Sequence, residues 1–314
     1  MTGAAGFIGS ALVEELIFLG FDLKAIDCFL DDSYDSKIKI ARAKKLQAQF
    51  NLVVEEVDLR TDDLSPVLQD VDVVVNLAAM PGLIKSWSDF KLYVDCNLIA
   101  VDRMFSCNTF KPKKFIQAST SSVYGKFALG NEESPCVPFS PYGVSKLAAE
   151  NLIKAHSLNF GIDFTILRYF SVYGPHQRPD MAYAKFCNAI LRGEEITIYG
   201  DGSAVRANTY ISDCVEGTVA AINNKKANMT LNLCGSQEIS VLEALEIISD
   251  ELKTKPIIRF AGKRPGDQET THGDNSLAQK ILGFSETVLV HDGLRIQARE
   301  FRKSFLNNAN RRHE

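Results

Sequence analysis

Short, nearly continuous apolar runs alternate along this chain with longer segments whose apolar residues recur at helical spacing. Val71–Ala78, Lys114–Thr120 and Asp163–Phe170 read as buried strands, and Ser10–Leu19, Tyr93–Phe110 and Ser145–Asn159 as helices between them. Such β-branched runs need cover on both faces, so the pattern predicts an α/β fold built on a doubly wound parallel sheet. After Gly174 the rhythm changes. Met181–Leu191, Asp213–Ile222 and Val241–Leu252 read as helices, with short strands at Ile196–Tyr199, Thr209–Ile211 and Pro256–Phe260. This predicts a smaller interleaved α/β unit. The expected division gives residues 1–170, with 207–235 contributing, to the first unit and 171–206 with 236–314 to the second.

Composition narrows the partners. The chain has 314 residues, 46% of them hydrophobic, enough for a large core. Net charge is −4 with no basic block, which argues against nucleic acid. The cationic C-terminal end (Arg302, Lys303, Arg311, Arg312) reads as a solvated tail. No stretch reaches the roughly 20 apolar residues of a membrane helix, and no charged-then-apolar leader opens the chain, so no membrane partner and a cytoplasmic home are expected. The seven cysteines form no CxxC pair and read as reduced thiols, with no metal site.

The chemistry begins at the N-terminus. Gly3, Gly6 and Gly9 form a GxxGxxG turn running through Phe7 and Ile8 into the first helix. Bare glycine backbone followed by unpaired helix amides is what a pyrophosphate needs, as in the Rossmann dinucleotide fold. Asp27 ends the strand-like run from Phe21, where a carboxylate accepts adenosine ribose hydroxyls and repels a 2′-phosphate. NAD is therefore expected rather than NADP. Asp58 and Leu59 are placed against the adenine. Leu77, Ala78 and Ala79 leave room for the dinucleotide. Only Met1 precedes the glycine turn, so the sheet's first strand reads as truncated, leaving a central slot with unpaired backbone.

Tyr142 and Lys146 lie four apart, on one helix face. A phenol titrates near ~10, and a neighbouring ammonium favours the phenolate. Thr120, at the end of an upstream strand, supplies a hydroxyl that can share a proton shuttle.

The segments TGAAGFIG, NLAA, ASTSSVYG, SPYGVSK and RYFSVYGP resemble, in order, the motifs of the extended short-chain dehydrogenase/reductase family, and more narrowly its nucleotide-sugar epimerases and dehydratases. The resemblance covers essentially the whole chain. It implies a retained NAD, Tyr142 as base, Lys146 as its partner and ribose ligand, and Thr120 as the assisting hydroxyl. It also places Asn97 and Tyr169 near the cofactor. It implies a homodimer formed through Tyr93–Phe110 and Ser145–Asn159.

Related dehydratases carry an Asp-Glu pair after the threonine, and uronate decarboxylases a glutamate two places on; this chain has Ser121 and Ser122. What remains is C4 epimerisation of a UDP-sugar. Arg178, in Arg-Pro-Asp-Met-Ala, resembles the stretch of UDP-glucuronate 4-epimerases. With Ser121 and Ser122, it would hold a C6 carboxylate in the sugar plane and discourage loss of CO₂ from the 4-keto sugar. The alternative for Arg178 is a plain pair with Asp180. Tyr199 resembles the residue flanking uracil, Arg206 and Arg264 the arginines on the diphosphate, and Asp267 the ligand of the uridine ribose. Ser171 stands where many relatives have asparagine. Rival expectations are a neutral UDP-glucose or UDP-N-acetylglucosamine epimerase, a sugar decarboxylase, and a non-catalytic dinucleotide-binding protein.

Overall fold

The computed structural model describes residues 1–31 and 33–310; Arg311 and Arg312 of the basic end lie outside the described residues. Arg302 and Lys303 belong to the long terminal helix Val290–Asn310 rather than to a loose tail, and Arg302 donates to the Glu251 carbonyl.

The main sheet is parallel throughout. Val54–Glu56 pairs with Ala25–Asp27 at one side. On the other, Val73–Asn76, Lys114–Thr120, Asp163–Tyr169 and Met229–Leu233 pair in that order. Met1-Thr2 bridges the two halves. Thr2 bridges Ile26 and Asn76, its amide donates to the Val75 carbonyl, and the Met1 carbonyl accepts from Ile26. The expected central slot is thus spanned at its C-terminal end alone.

Strand alternation sends side chains to opposite faces. Val75, Ile116 and Leu167 pack with the helices Phe7–Phe18 and Ile211–Asn223. Val74, Phe115 and Ile166 pack on the other side with Met104, Ala149 and Ile153. Helices therefore cover both faces, the doubly wound arrangement expected from the unbroken apolar strands.

The second part holds a mixed sheet in the order Glu238–Ser240, Val205–Ala207, Thr270–Gly273, Phe127–Gly130. A parallel pair, Glu195–Tyr199 with Ile257–Ala261, lies beyond it. Its core gathers Phe186, Ile198, Leu245, Ile248 and Leu294.

Two differences from the sequence reading bear on the cleft. The helix expected at Ser145 begins at Pro141 and runs to Phe160, because Ser140 accepts a hydrogen bond from the Gly143 amide and Pro141 suits the first turn. Tyr142 is therefore held in a helical first turn. The single helix expected over Tyr93–Phe110 is instead Phe90–Val94, a π-type turn at Asp95–Ile99, and Ala100–Phe105. Among the described residues, no helix is long and apolar enough to cross a membrane.

Candidate active site

The C-terminal ends of the main-sheet strands open into a cleft of about 700 Å³. The glycine turn forms one end. A Cβ at Gly3 would sit 2.8 Å from the Ala78 amide nitrogen, and one at Gly9 would sit 2.0 Å from the Gly3 carbonyl oxygen. The turn is thus pressed against the strand end Leu77-Ala78 on one side and its own helix on the other. Gly6 is different: a Cβ there meets only the Gly3 oxygen, at 3.1 Å, and the residue borders the cleft. The helix that follows has no side-chain cap and no acidic residue in its first turn. Bare backbone beside uncapped helix amides suits a dinucleotide pyrophosphate, so the residues present fit an NAD-type cofactor.

Asp27 is buried beside the turn and accepts from the Ala5 amide at 3.0 Å and the Phe29 amide at 2.9 Å. Each oxygen keeps acceptor capacity for a ribose hydroxyl. Thr2 pins the neighbouring strand end, donating to Asn76 at 2.6 Å and accepting from the Ala78 amide at 3.1 Å. Phe7, Ile8, Leu59, Ala79 and Tyr169 also line the cleft. Asp58 lines it too, but Arg60 grips its carboxylate at 2.9 and 2.7 Å and holds it below the usual carboxylate range. The Tyr169 hydroxyl shares a 2.8 Å hydrogen bond with Thr218. Asn97 lies off the cleft wall. Its side chain accepts from the Met80 amide at 2.7 Å and donates to the Met80 carbonyl and to Ser145, so it braces a cleft residue from behind. The π-type turn that carries it explains the broken helix.

Tyr142, Lys146 and Thr120 meet midway along the cleft. The Tyr142 ring stands edge-on to Tyr93, centroids 6.1 Å apart. Burial pushes the Tyr142 phenol up; a hydrogen bond with Thr120 and the charge of Arg178 pull the other way. The sequence reading assigned that pull to Lys146. Here the Lys146 ammonium donates to the Ala118 carbonyl at 2.7 Å, and burial lowers it to about 8 against the opposing charge of Glu150. The cation favouring the phenolate within the protein is therefore Arg178. Ser121 and Ser122 are buried on the same wall, and the Thr120 hydroxyl accepts from the Ser122 amide.

Also on the cleft wall, Arg178 donates to both oxygens of Asp180, the local alternative that the sequence offered. Arg206 donates to the carbonyls of Val205, Gln268 and Glu269. Arg264 pairs with Asp267 at 2.9 Å, and its guanidinium lies 3.9 Å from the Tyr199 ring centroid. These arginines, Asp267 and Ser171 border the cleft; Tyr199 does not, being the platform beneath Arg264.

Sequence reasoning missed Arg60 and Gln268. Gln268, buried next to Asp267, ties the second unit to the Thr120 loop by donating to the Gly125 carbonyl at 2.8 Å. It also missed the pair Arg168–Glu150, although an arginine inside the apolar run Asp163–Phe170 demands a buried partner.

Comparison with known proteins agrees with this geometry. The profile of the NAD dependent epimerase/dehydratase family matches residues 1–234. An uncharacterized UDP-glucose epimerase YtcB of Bacillus subtilis (strain 168) is 38% identical, over 94% of both chains. A UDP-glucuronate 4-epimerase of Thermodesulfobacterium geofontis is 32% identical, over 94% of this chain and 93% of that one. The crystal structure of UDP-glucuronic acid 4-epimerase from Bacillus cereus, in complex with UDP-glucuronic acid and NAD, superposes with a TM-score of 0.92 at 38% identity, covering 96% of this chain and 98% of that one. The chain belongs to the NAD dependent epimerase/dehydratase family.

Proposed function

We propose that this protein inverts C4 of UDP-glucuronate, interconverting it with UDP-galacturonate, with NAD retained in the cleft. The observation that carries the reading is the meeting of the Tyr142 phenol and the Thr120 hydroxyl in one cleft that an uncapped helix N-terminus and Arg178 also line. The Bacillus cereus structure bound to UDP-glucuronic acid and NAD supports the substrate and the cofactor. NAD, when bound, supplies a reversible hydride acceptor for the sugar carbon. Gly6 and the amides of the first helix hold its pyrophosphate, Asp27 its adenosine ribose, and Lys146 its second ribose.

The chain's own work is proton transfer and orientation. Tyr142 takes the proton from the C4 hydroxyl, relayed through Thr120, and returns it once the 4-keto sugar has turned its other face. Ser121, Ser122 and Arg178 hold the C6 carboxylate, so that the 4-keto acid keeps its CO₂. No acid stands beside Thr120 to eliminate water. Arg206, Arg264 and Asp267 hold the nucleotide, and Ser171 contributes a hydroxyl. In this reading residues 1–170 with 207–235 serve the cofactor, and 171–206 with 236–314 serve the sugar nucleotide. Two copies associate through 90–105 and 141–160, where Phe90, Ile99, Val144 and Leu158 are exposed.

A neutral UDP-glucose is the second reading, favoured by Arg178 already having a carboxylate partner in Asp180. Incubation with UDP-glucuronate and UDP-glucose separately, read by proton NMR of the sugar, decides. The uronate is expected to equilibrate with its galacto epimer; turnover of UDP-glucose alone would overturn the proposal.

A further inference from the structure

One buried charge cluster lies outside the reacting pair and touches it from behind. Glu150 is fully buried on the helix Pro141–Phe160, one turn beyond Lys146 and two beyond Tyr142, on the same face. Its carboxylate accepts from Arg168 Nε at 3.0 Å and Nη2 at 2.7 Å, and from the Ser119 hydroxyl. Arg168 stands in the neighbouring strand, its guanidinium 4.7 Å from the Tyr124 ring centroid, with one nitrogen reaching the Glu132 carbonyl.

The contacts gather at one strand end. Tyr142 meets Thr120, Lys146 meets the Ala118 carbonyl, and Glu150 meets Ser119. Three successive turns of the helix thus clasp three successive residues at the end of the strand Lys114–Thr120. Two of those clasps involve the reacting pair; the third is the Ser119 hydroxyl donating to Glu150, whose charge Arg168 balances. A buried carboxylate is costly unless paired and hydrogen-bonded, and here both conditions are met, so its place is fixed.

We propose that Glu150 is a positioning residue for the Tyr142–Lys146 pair, locking the helix to the strand end that carries Thr120 and facing Lys146 with a fixed negative charge. The inference rests on the reading of Tyr142 and Lys146 as the reacting pair. The other ionisable groups near Glu150 are Lys154, 3.8 Å away on its own helix, Arg168 from the adjoining strand, and Cys136 from the preceding loop. Beyond Arg168 stand Tyr124 and Glu132. Of these, Glu150 is the one whose charge supports the Lys146 ammonium.

The test compares wild type with Glu150→Gln and with Glu150→Gln/Arg168→Met, all loaded with NAD. The double variant removes the Glu150–Arg168 pair as a unit, and such replacements are often near neutral for folding. Lys146 is titrated by NMR on enzyme carrying ¹³Cε-lysine, its signal assigned with Lys146→Met. The single variant is expected to titrate Lys146 about one pH unit below wild type and the double variant less far below, since it also loses the Arg168 cation, with the alkaline limb of turnover moving by the same amounts. Glu150→Asp, which keeps the charge, is expected to restore most of both. A folded double variant whose Lys146 titrates as in wild type, with an unmoved pH profile, would overturn the proposal. Because the titration follows the lysine itself, it stands whether or not UDP-glucuronate is the sugar turned over.

Discussion

Arg178 grips Asp180 through two hydrogen bonds, Nε to Oδ1 at 3.0 Å and Nη2 to Oδ2 at 2.9 Å, on the wall of the cleft. This fork is the arrangement a guanidinium makes with any carboxylate, so a uronate carboxyl held by Arg178 would compete with Asp180 for it. Arg178→Gln is expected to raise KM for UDP-glucuronate by about tenfold or more, with a smaller effect on UDP-glucose. Asp180→Asn is expected to lower KM for the uronate. Steady-state kinetics on the two sugars check both; equal losses on both would place Arg178 outside carboxylate recognition.

The glycine turn separates packing from binding. Gly9→Ala would drive a Cβ into the Gly3 carbonyl, and a loss of the order of 3 kcal/mol in stability is expected. Gly6→Ala meets no such wall and keeps an ordinary φ, so it is expected to melt within about 1 kcal/mol of wild type yet to bind NAD at least about tenfold more weakly. Thermal melts and NAD titration distinguish the two. A Gly6→Ala protein with unchanged NAD affinity would remove the turn from the pyrophosphate site.

Lys146 puts stability and function in opposition. Its ammonium, held at about 8 against 10.5 for an exposed lysine, is penalised by burial. Below about pH 8 the folded chain carries the whole penalty. Between about 8 and 10.5 the unfolded chain binds more protons than the folded one, so stability rises with pH through that window. Lys146→Met is expected to exceed wild type at pH 7 by about 2 kcal/mol, once the lost bond to Ala118 is allowed for. The advantage fades by pH 10.5, and turnover is mostly lost. Urea melts of NAD-stripped protein from pH 6 to 10.5 check the sign; a variant less stable at every pH would contradict it.

The cleft was legible where chemistry follows from strand ends. Gly3 to Gly9, Asp27, Ala78, Thr120 and Tyr142 each sit at the turn after a buried strand or in the first turn of a helix, and such positions show in hydrophobic pattern and spacing. Pairing between distant segments was not legible. Phe127–Gly130 has little apolar character facing inward, and it joins Thr270–Gly273 across the whole second half of the chain. Nor was the direction of the cations. Arg264 turns to Asp267, three residues away, because a near carboxylate is met at little conformational cost, as Arg178 does with Asp180, the alternative the sequence offered. Lys146 turns to a strand carbonyl that no spacing rule names. Asn97 was read as a cofactor neighbour. It sits in a π-type turn and bonds the backbone of Met80, a residue of the cleft wall.

The most direct measurement follows the hydrogen at C4. UDP-glucuronate carrying deuterium at C4 is incubated with the NAD-loaded protein in ordinary water, and the product is examined by NMR and mass spectrometry. Proton exchange through Tyr142 and Thr120 touches only oxygen, so UDP-galacturonate is expected with the deuterium still on C4, and Tyr142→Phe is expected to form it at least about a hundredfold more slowly. Product bearing hydrogen from water at C4, or a Tyr142→Phe protein turning over at the wild-type rate, would contradict the account.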